Sequence, residues 1–197
     1  THNWANGVDA GYRNESTLFV GGAGNDRMEG SSGADTYLFD RGDGADTILD
    51  IGINTWGWDG CIKSDAVQFG AGISASDLAV SRVGDHMVIG INDPANPLAA
   101  DRITVENWFA SPAYRIETFK FADGTSIGIG DVHRLATTGS EGNDVILGWL
   151  DEPLTYDGRG GDDMIGAGAS DDTVYGGSGD DTITDAGGTN VIDAGTG

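Results

Sequence analysis

The feature that most constrains this chain is a nine-residue period. In residues 21–29, Gly21, Gly22 and Gly24 precede Asp26, and Met28 follows two places later. Residues 30–38 repeat the pattern with Gly33, Asp35 and Tyr37, and after a two-residue insertion 41–49 repeat it with Gly44, Asp46 and Ile48. A weaker unit at 60–68 keeps Asp65 and Val67. The pattern lapses and resumes at 139–147 with Gly142, Asp144 and Ile146, passes through a degenerate unit at 148–157, and then holds strict register. Asp163 with Ile165, Asp172 with Val174 and Asp181 with Ile183 follow at intervals of nine, Gly161 and Gly179 preceding the first and last of these aspartates; Asn190 takes the Asp place before Ile192. A fixed period of this length marks a stacked-repeat architecture.

Composition says what the repeat is for. Acidic residues number 32 against 10 Lys and Arg, a net charge of −22, and 26 of the 32 are Asp. Solvation alone does not select Asp over Glu. A short carboxylate is favoured where it must bond a nearby turn or a cation. This charge excludes non-specific nucleic-acid binding, which needs a basic footprint, and disfavours docking on anionic membranes. With 34 Gly the chain reads towards disorder, yet 38% of its residues are apolar and recur regularly, so a conditional fold is expected. Cys61 is the single cysteine, so no intrachain disulfide forms. No apolar run approaches the roughly 18 to 20 residues of a membrane span, so no direct membrane insertion is expected. Residues 1–10 lack the basic start and apolar stretch of a signal peptide, and the abrupt ends lead to the expectation of a piece of something larger.

The pattern GGxGxDxUx, with U a large apolar residue, resembles the RTX (repeat-in-toxin) calcium-binding β-roll family. Around it, Asp101 to Phe109, Tyr114 to Glu117 and Phe121 to Thr125 are similar to the segment that often flanks RTX repeats. The resemblance implies rungs of two units, each with a Gly-rich turn and a three-residue strand whose central side chain faces inward. Met28, Tyr37, Ile48 and Val67 are then expected to line one thin core, and Ile146, Ile165, Val174, Ile183 and Ile192 another. It implies several Ca²⁺ ions, each held by the unit's Asp and by turn carbonyls of neighbouring rungs. Carried onto this chain, Asp26 pairs with Asp46, Asp35 with Asp65, Asp144 and Asp181 each with Asp163, and Asp172 with Asn190, the last a weaker site for want of a charge. Gly22, Gly24, Gly33, Gly44, Gly142, Gly161 and Gly179 form the turns of these metal sites.

Read without the family, the middle of the chain is β-rich: 78–83, 87–91, 102–108 and 115–121 hold alternating or β-branched runs. Only brief helix is expected, near 111–113 or 131–135. Arg41-Gly42-Asp43 spells an integrin-binding tripeptide but falls where the roll needs a turn. Residues 124–128 fit G-x-S-x-G without the strand-to-helix context of a nucleophile elbow. His2, His86 and His133 are far apart and match no zinc motif. Trp56 and Trp58 are expected to cap the core or to stack on a sugar ring.

The expected fold is all-β: two parallel β-roll (β-solenoid) blocks of calcium-binding nonapeptide repeats, 21–69 and 139–197, flanking a β-rich region at 70–138, with 1–20 as a leading segment or cap. The expected function is that of a calcium-binding module, not an enzyme and without catalytic residues. It folds on extracellular Ca²⁺ within a larger bacterial toxin, adhesin or enzyme, which the resemblance places outside a Gram-negative cell by way of a type I secretion apparatus. The alternatives are a calcium-dependent module of an adhesin that binds a host glycan or peptide, and an auxiliary module of a secreted polysaccharide-modifying enzyme.

Overall fold

The structure is a computed structural model; it describes residues 16–30, 33–51, 64–96, 98–148 and 152–197. The chain forms two compact units, residues 1–129 and 130–197.

In the first unit, strands leave the Gly-rich turns alternately on two sheets. β1 (Leu18–Val20), β3 (Thr36–Phe39) and β5 (Ala66–Phe69) stack in parallel on one sheet, and β2 (Arg27–Gly30) and β4 (Ala45–Asp50) on the other. Their registers set Met28 beside Ile48 and Tyr37 beside Val67, and all four are at most 1% exposed. The period-2 alternation therefore puts each unit's large apolar residue in the core, as the repeat requires.

The sheets then run on past residue 69. β6 (Leu78–Val83), β7 (His86–Ile91) and β8 (Arg102–Val105) join the second sheet, β8 pairing in parallel with β4 and the other two closing an antiparallel edge. β9 (Thr118–Lys120) pairs in parallel with β5, and β10 (Ser126–Gly128) turns back along it. Together with the last repeat strand, this region builds a bulky core. Trp108, Phe119, Phe69, Ile103, Met87 and Ile89 are all fully buried. The two expected helical spots are a single 3-10 turn at Pro112–Tyr114 and the helix α1, Ile129–Ala136.

The second unit is a plainer roll. β11 (Val145–Leu147), β13 (Met164–Ala167) and β15 (Thr182–Asp185) make one three-stranded parallel sheet, and β12 (Thr155–Asp157), β14 (Thr173–Tyr175) and β16 (Val191–Asp193) the other. α1 leads into its first rung: Thr137 takes the backbone bond from Asp157 N–H (3.0 Å), and buried His133 meets Glu152 at 2.6 Å. The core is Ile146, Tyr156, Ile165, Ala167 and Val174, with Leu154 and Ile183 half-buried against it. Ile192, on the last strand, is 50% exposed.

Candidate metal centre

The repeat aspartates stand in rows along the turns, each locked to the next rung by the same bond. Asp26 N–H donates to Asp46 Oδ1 (3.0 Å), Asp35 N–H to Asp65 Oδ1 (2.8 Å), Asp144 N–H to Asp163 Oδ1 (2.9 Å), Asp163 N–H to Asp181 Oδ1 (3.0 Å) and Asp172 N–H to Asn190 Oδ1 (2.7 Å). One carboxylate oxygen therefore serves the backbone. The other is left over: Oδ2 of Asp46, Asp163, Asp172 and Asp181 is buried and makes no hydrogen bond. A buried carboxylate oxygen without a partner is costly, so a row of them at one repeat position needs a cation or a proton.

The turns leave room for a cation. A Cβ on Gly176 would lie 2.5 Å from Asp181 Oδ2 and 2.6 Å from the Ala194 carbonyl, and one on Gly158 would strike Asp163 Oδ2 and the Gly176 carbonyl. One on Gly21 would lie 3.1 Å from Asp46 Oδ2 and 3.3 Å from Asp26 Oδ2. Carboxylate and carbonyl oxygens thus converge where the first glycine of the unit keeps side chains out. These all-oxygen donor sets fit a hard cation such as Ca²⁺. Later glycines serve the stacking itself. Gly179 has φ +126°, and a Cβ there would collide with the Gly161 carbonyl of the rung below. Gly22, Gly24, Gly44 and Gly161 also have positive φ, and Gly33 and Gly142 lie in the turns of Asp35 and Asp144.

The rows are not uniform. Asp144 Oδ2 is already taken by Ser140, through its N–H at 2.6 Å and Oγ at 2.9 Å. Asn190 turns its amide Nδ2 to the Gly187 carbonyl (3.0 Å). Leu154 stands in the Asp place of the degenerate unit, donating its N–H to Asp172 Oδ1 (2.9 Å).

Three acidic residues beyond the repeat pattern lie in or beside the first unit's rows. Glu117 accepts from Asp65 N–H (2.8 Å), so it takes the Asp place in the next rung. Asp101 accepts from Gly42 N–H (2.6 Å) and Gly44 N–H (3.2 Å). Asp50 is fully buried, accepts from the Tyr37 hydroxyl (2.7 Å) and lies with Asp35 and Asp65 in one carboxylate group whose oxygens are within 4.8 Å of one another.

Trp56 and Trp58 lie outside the described residues, as do Cys61, His2 and most of the leading segment 1–20. His86 Nδ1 accepts from Asn107 N–H (3.1 Å). Ser126 of the G-x-S-x-G match opens β10 opposite Lys120, at the start of the returning hairpin strand; that strand runs on into α1, so Ser126 sits before the strand-to-helix turn and not at it. The integrin-like tripeptide is tied down: Arg41 donates to the Gly72 and Asn92 carbonyls, and Asp43 Oδ2 accepts from Asp40 N–H (2.7 Å).

Burial and crowding disfavour the charge on two of these carboxylates. Burial pushes Asp46 up to about 6, against the hydrogen bond from Asp26 N–H, with Asp26, Asp43 and Asp101 adding to the rise. Burial likewise raises Asp163, and its Asp181, Asp144 and Asp162 neighbours reinforce it. A carboxyl raised in the folded state stabilises the fold fully below its unfolded value near 3.8, and that contribution is lost as pH rises through about 6. Metal-free protein is therefore expected to have a higher urea midpoint at pH 5 than at pH 7. With Ca²⁺ competing against the proton, calcium affinity should run the other way and fall between pH 7 and pH 5. Urea titrations of metal-free protein and calcium titrations at the two pH values check both signs.

Parallel-stranded rolls with rows of buried aspartates facing turn carbonyls are cation-binding β-solenoid structures. The sequence matches two families. Residues 18–48 and 166–197 match the RTX calcium-binding nonapeptide repeat, and residues 86–131 the haemolysin-type calcium binding protein related domain. The chain thus carries RTX repeats on both sides of that domain, and Ca²⁺ is its cofactor, at several sites. It is also similar to the iron-regulated protein FrpA of Neisseria meningitidis serogroup C, 32% identical over 112 residues. That alignment covers 55% of this chain and 9% of the relative's length. Among the described residues no helix is long and apolar enough to cross a membrane.

Proposed function

We propose that this chain is a calcium-driven folding module of a larger secreted bacterial protein. The proposed ligands are the row aspartates Asp26, Asp35, Asp46, Asp65, Asp144, Asp163, Asp172 and Asp181, with Asn190 as a weaker member and the turn carbonyls completing each set. The observation that carries the reading is the buried Oδ2 of Asp46, Asp163, Asp172 and Asp181, left without a hydrogen bond. Without a cation these rows repel one another, within a chain of net charge −22, and the Gly-rich turns lose much backbone entropy on ordering. With Ca²⁺ each ion offsets about two carboxylate charges and ties two rungs together, so binding energy becomes folding energy. A chain that stays unfolded where calcium is scarce and folds where it is plentiful suits export through a narrow type I apparatus followed by folding outside the cell. The alignment to a small part of a much longer relative supports a place within a larger protein, whose activity, toxin, adhesin or enzyme, resides elsewhere.

The test is a calcium titration of metal-free protein followed by circular dichroism, with Mg²⁺ in parallel. A cooperative gain of β-structure between micromolar and millimolar Ca²⁺, absent with Mg²⁺, is expected. The same spectrum at every calcium concentration would remove the switch.

A further inference from the structure

Where the first roll meets the strands that follow it, the turn between β3 and β4 carries a cation of its own. Arg41 reaches out of that turn into a set of four oxygens. Its Nη2 and Nε donate to the Gly72 carbonyl (2.9 and 3.2 Å) and its Nη1 to the Asn92 carbonyl (2.9 Å). The carboxylates of Asp77 and Asp93 lie 3.4 and 3.8 Å from the guanidinium. Two carbonyls and two carboxylates around one positive charge form the same kind of donor set as the calcium turns. The set is built in: Asp77 is fixed by Ser74 N–H and Oγ (both 2.8 Å), and Asn92 N–H donates to the Asp77 carbonyl (2.8 Å). The turn's own amides, Gly42 and Gly44, are taken up by Asp101. The Asp row on this sheet also stops here. Asp46 is followed in the next rung by Ile103, an apolar residue that is fully buried.

We propose that Arg41 takes the place of a calcium ion at this junction, so that β6 to β10 stay folded when calcium is withdrawn. The contrast with the other turns rests on the calcium reading above. The role of Arg41 does not. A guanidinium is permanently charged and cannot be removed by a chelator, and the segments that follow the junction bury the large side chains of Trp108, Phe119, Met87 and Ile89. The repeats depend on an exchangeable ion, whereas this region has a tethered cation and a thick core. Arg41 is a positioning residue, and the region it anchors is a calcium-independent base from which the first roll grows.

Hydrogen exchange on the full chain in chelator, resolved by segment, tests this. The wild-type amides of β6 to β10 are expected to stay protected. Arg41→Gln, which keeps the stem and loses the charge, should speed exchange of the β6–β7 hairpin at least about tenfold, while Arg41→Lys, which keeps the charge and loses the fork of donors, should fall between wild type and Gln. Gln and wild type exchanging alike would overturn the proposal, as would a wild-type hairpin unprotected in chelator. Should Arg41→Gln fail to fold even with calcium, Arg41→Lys decides: a folded, protected lysine variant supports the charge, and one as unfolded as the glutamine variant refutes it. Protection of β11 to β16 in chelator would count against calcium-driven folding instead, and leaves the Arg41 comparison intact.

Discussion

Stripping calcium is expected to melt the second unit outright, with the amides of β11 to β16 exchanging at close to unprotected rates. Five buried apolar side chains, the largest Tyr156, hold that roll together. Complete burial of one such side chain contributes about 1.5 to 3 kcal/mol, while ordering each residue of its Gly-rich turns costs about 1 to 2 kcal/mol. The core therefore does not carry the fold by itself, and the orphaned oxygens of Asp163, Asp172 and Asp181 add a further penalty. One site held at about 100 times its dissociation constant adds about 2.7 kcal/mol. Two such sites slow global opening by about 10⁴-fold. Exchange measured by segment at millimolar calcium and in chelator should show a change of at least about 100-fold in β11 to β16 and a much smaller one in β6 to β10. Equal slowing in both regions would mean that calcium acts on the chain as a whole, and equal protection without calcium would mean that the second roll folds on apolar burial alone.

That difference between the units follows from what repetition does and does not encode. A nine-residue period with Asp and a large apolar residue at fixed places sets strand spacing, register and the inward row in one stroke. Ile165 beside Ile183, and Asp163 bonded to Asp181, are therefore legible once the resemblance to the RTX roll supplies two units per rung. The same holds across the interrupted units, where Asp35 meets Asp65 thirty positions on. Nothing local marks Glu117 as the successor to Asp65, or Asp101 as the acceptor for Gly42 and Gly44. Both are delivered by loops of varying length when β8 and β9 add themselves to sheets begun by the repeats. Asp50 is hidden for a related reason. It stands just after a repeat unit, at the end of a strand that runs longer than the motif, and the pleat turns it inward to Tyr37. The integrin-like tripeptide shows the converse. Its spacing matches a short motif, and its arginine is spent on carbonyls from segments that are distant in sequence.

The sharpest consequence concerns Asp163, where one substitution should act with opposite sign in the two conditions. Asp163→Asn keeps the oxygen that accepts Asp144 N–H, so the ladder between rungs survives. The second oxygen, buried and without a hydrogen bond, becomes an NH₂ on the side of the Gly176 carbonyl. In metal-free protein this removes a charge that burial and Asp144, Asp162 and Asp181 disfavour and supplies a donor to a carbonyl. A gain of about 1 kcal/mol is expected. In calcium the same change removes a ligand and its charge, so affinity at that turn should fall by at least about tenfold, about 1.4 kcal/mol. Asn190 already has this arrangement, its Nδ2 on the Gly187 carbonyl, so Asn190→Asp should do the reverse: weaker without calcium, tighter with it. Urea midpoints of the two variants in calcium and, in chelator, the concentration of a stabilising osmolyte that folds the second unit, each against wild type, give four numbers whose signs must alternate. A variant that destabilises equally in both conditions would mean that Oδ2 of Asp163 faces no cation, and that the row of aspartates is a ladder and nothing more.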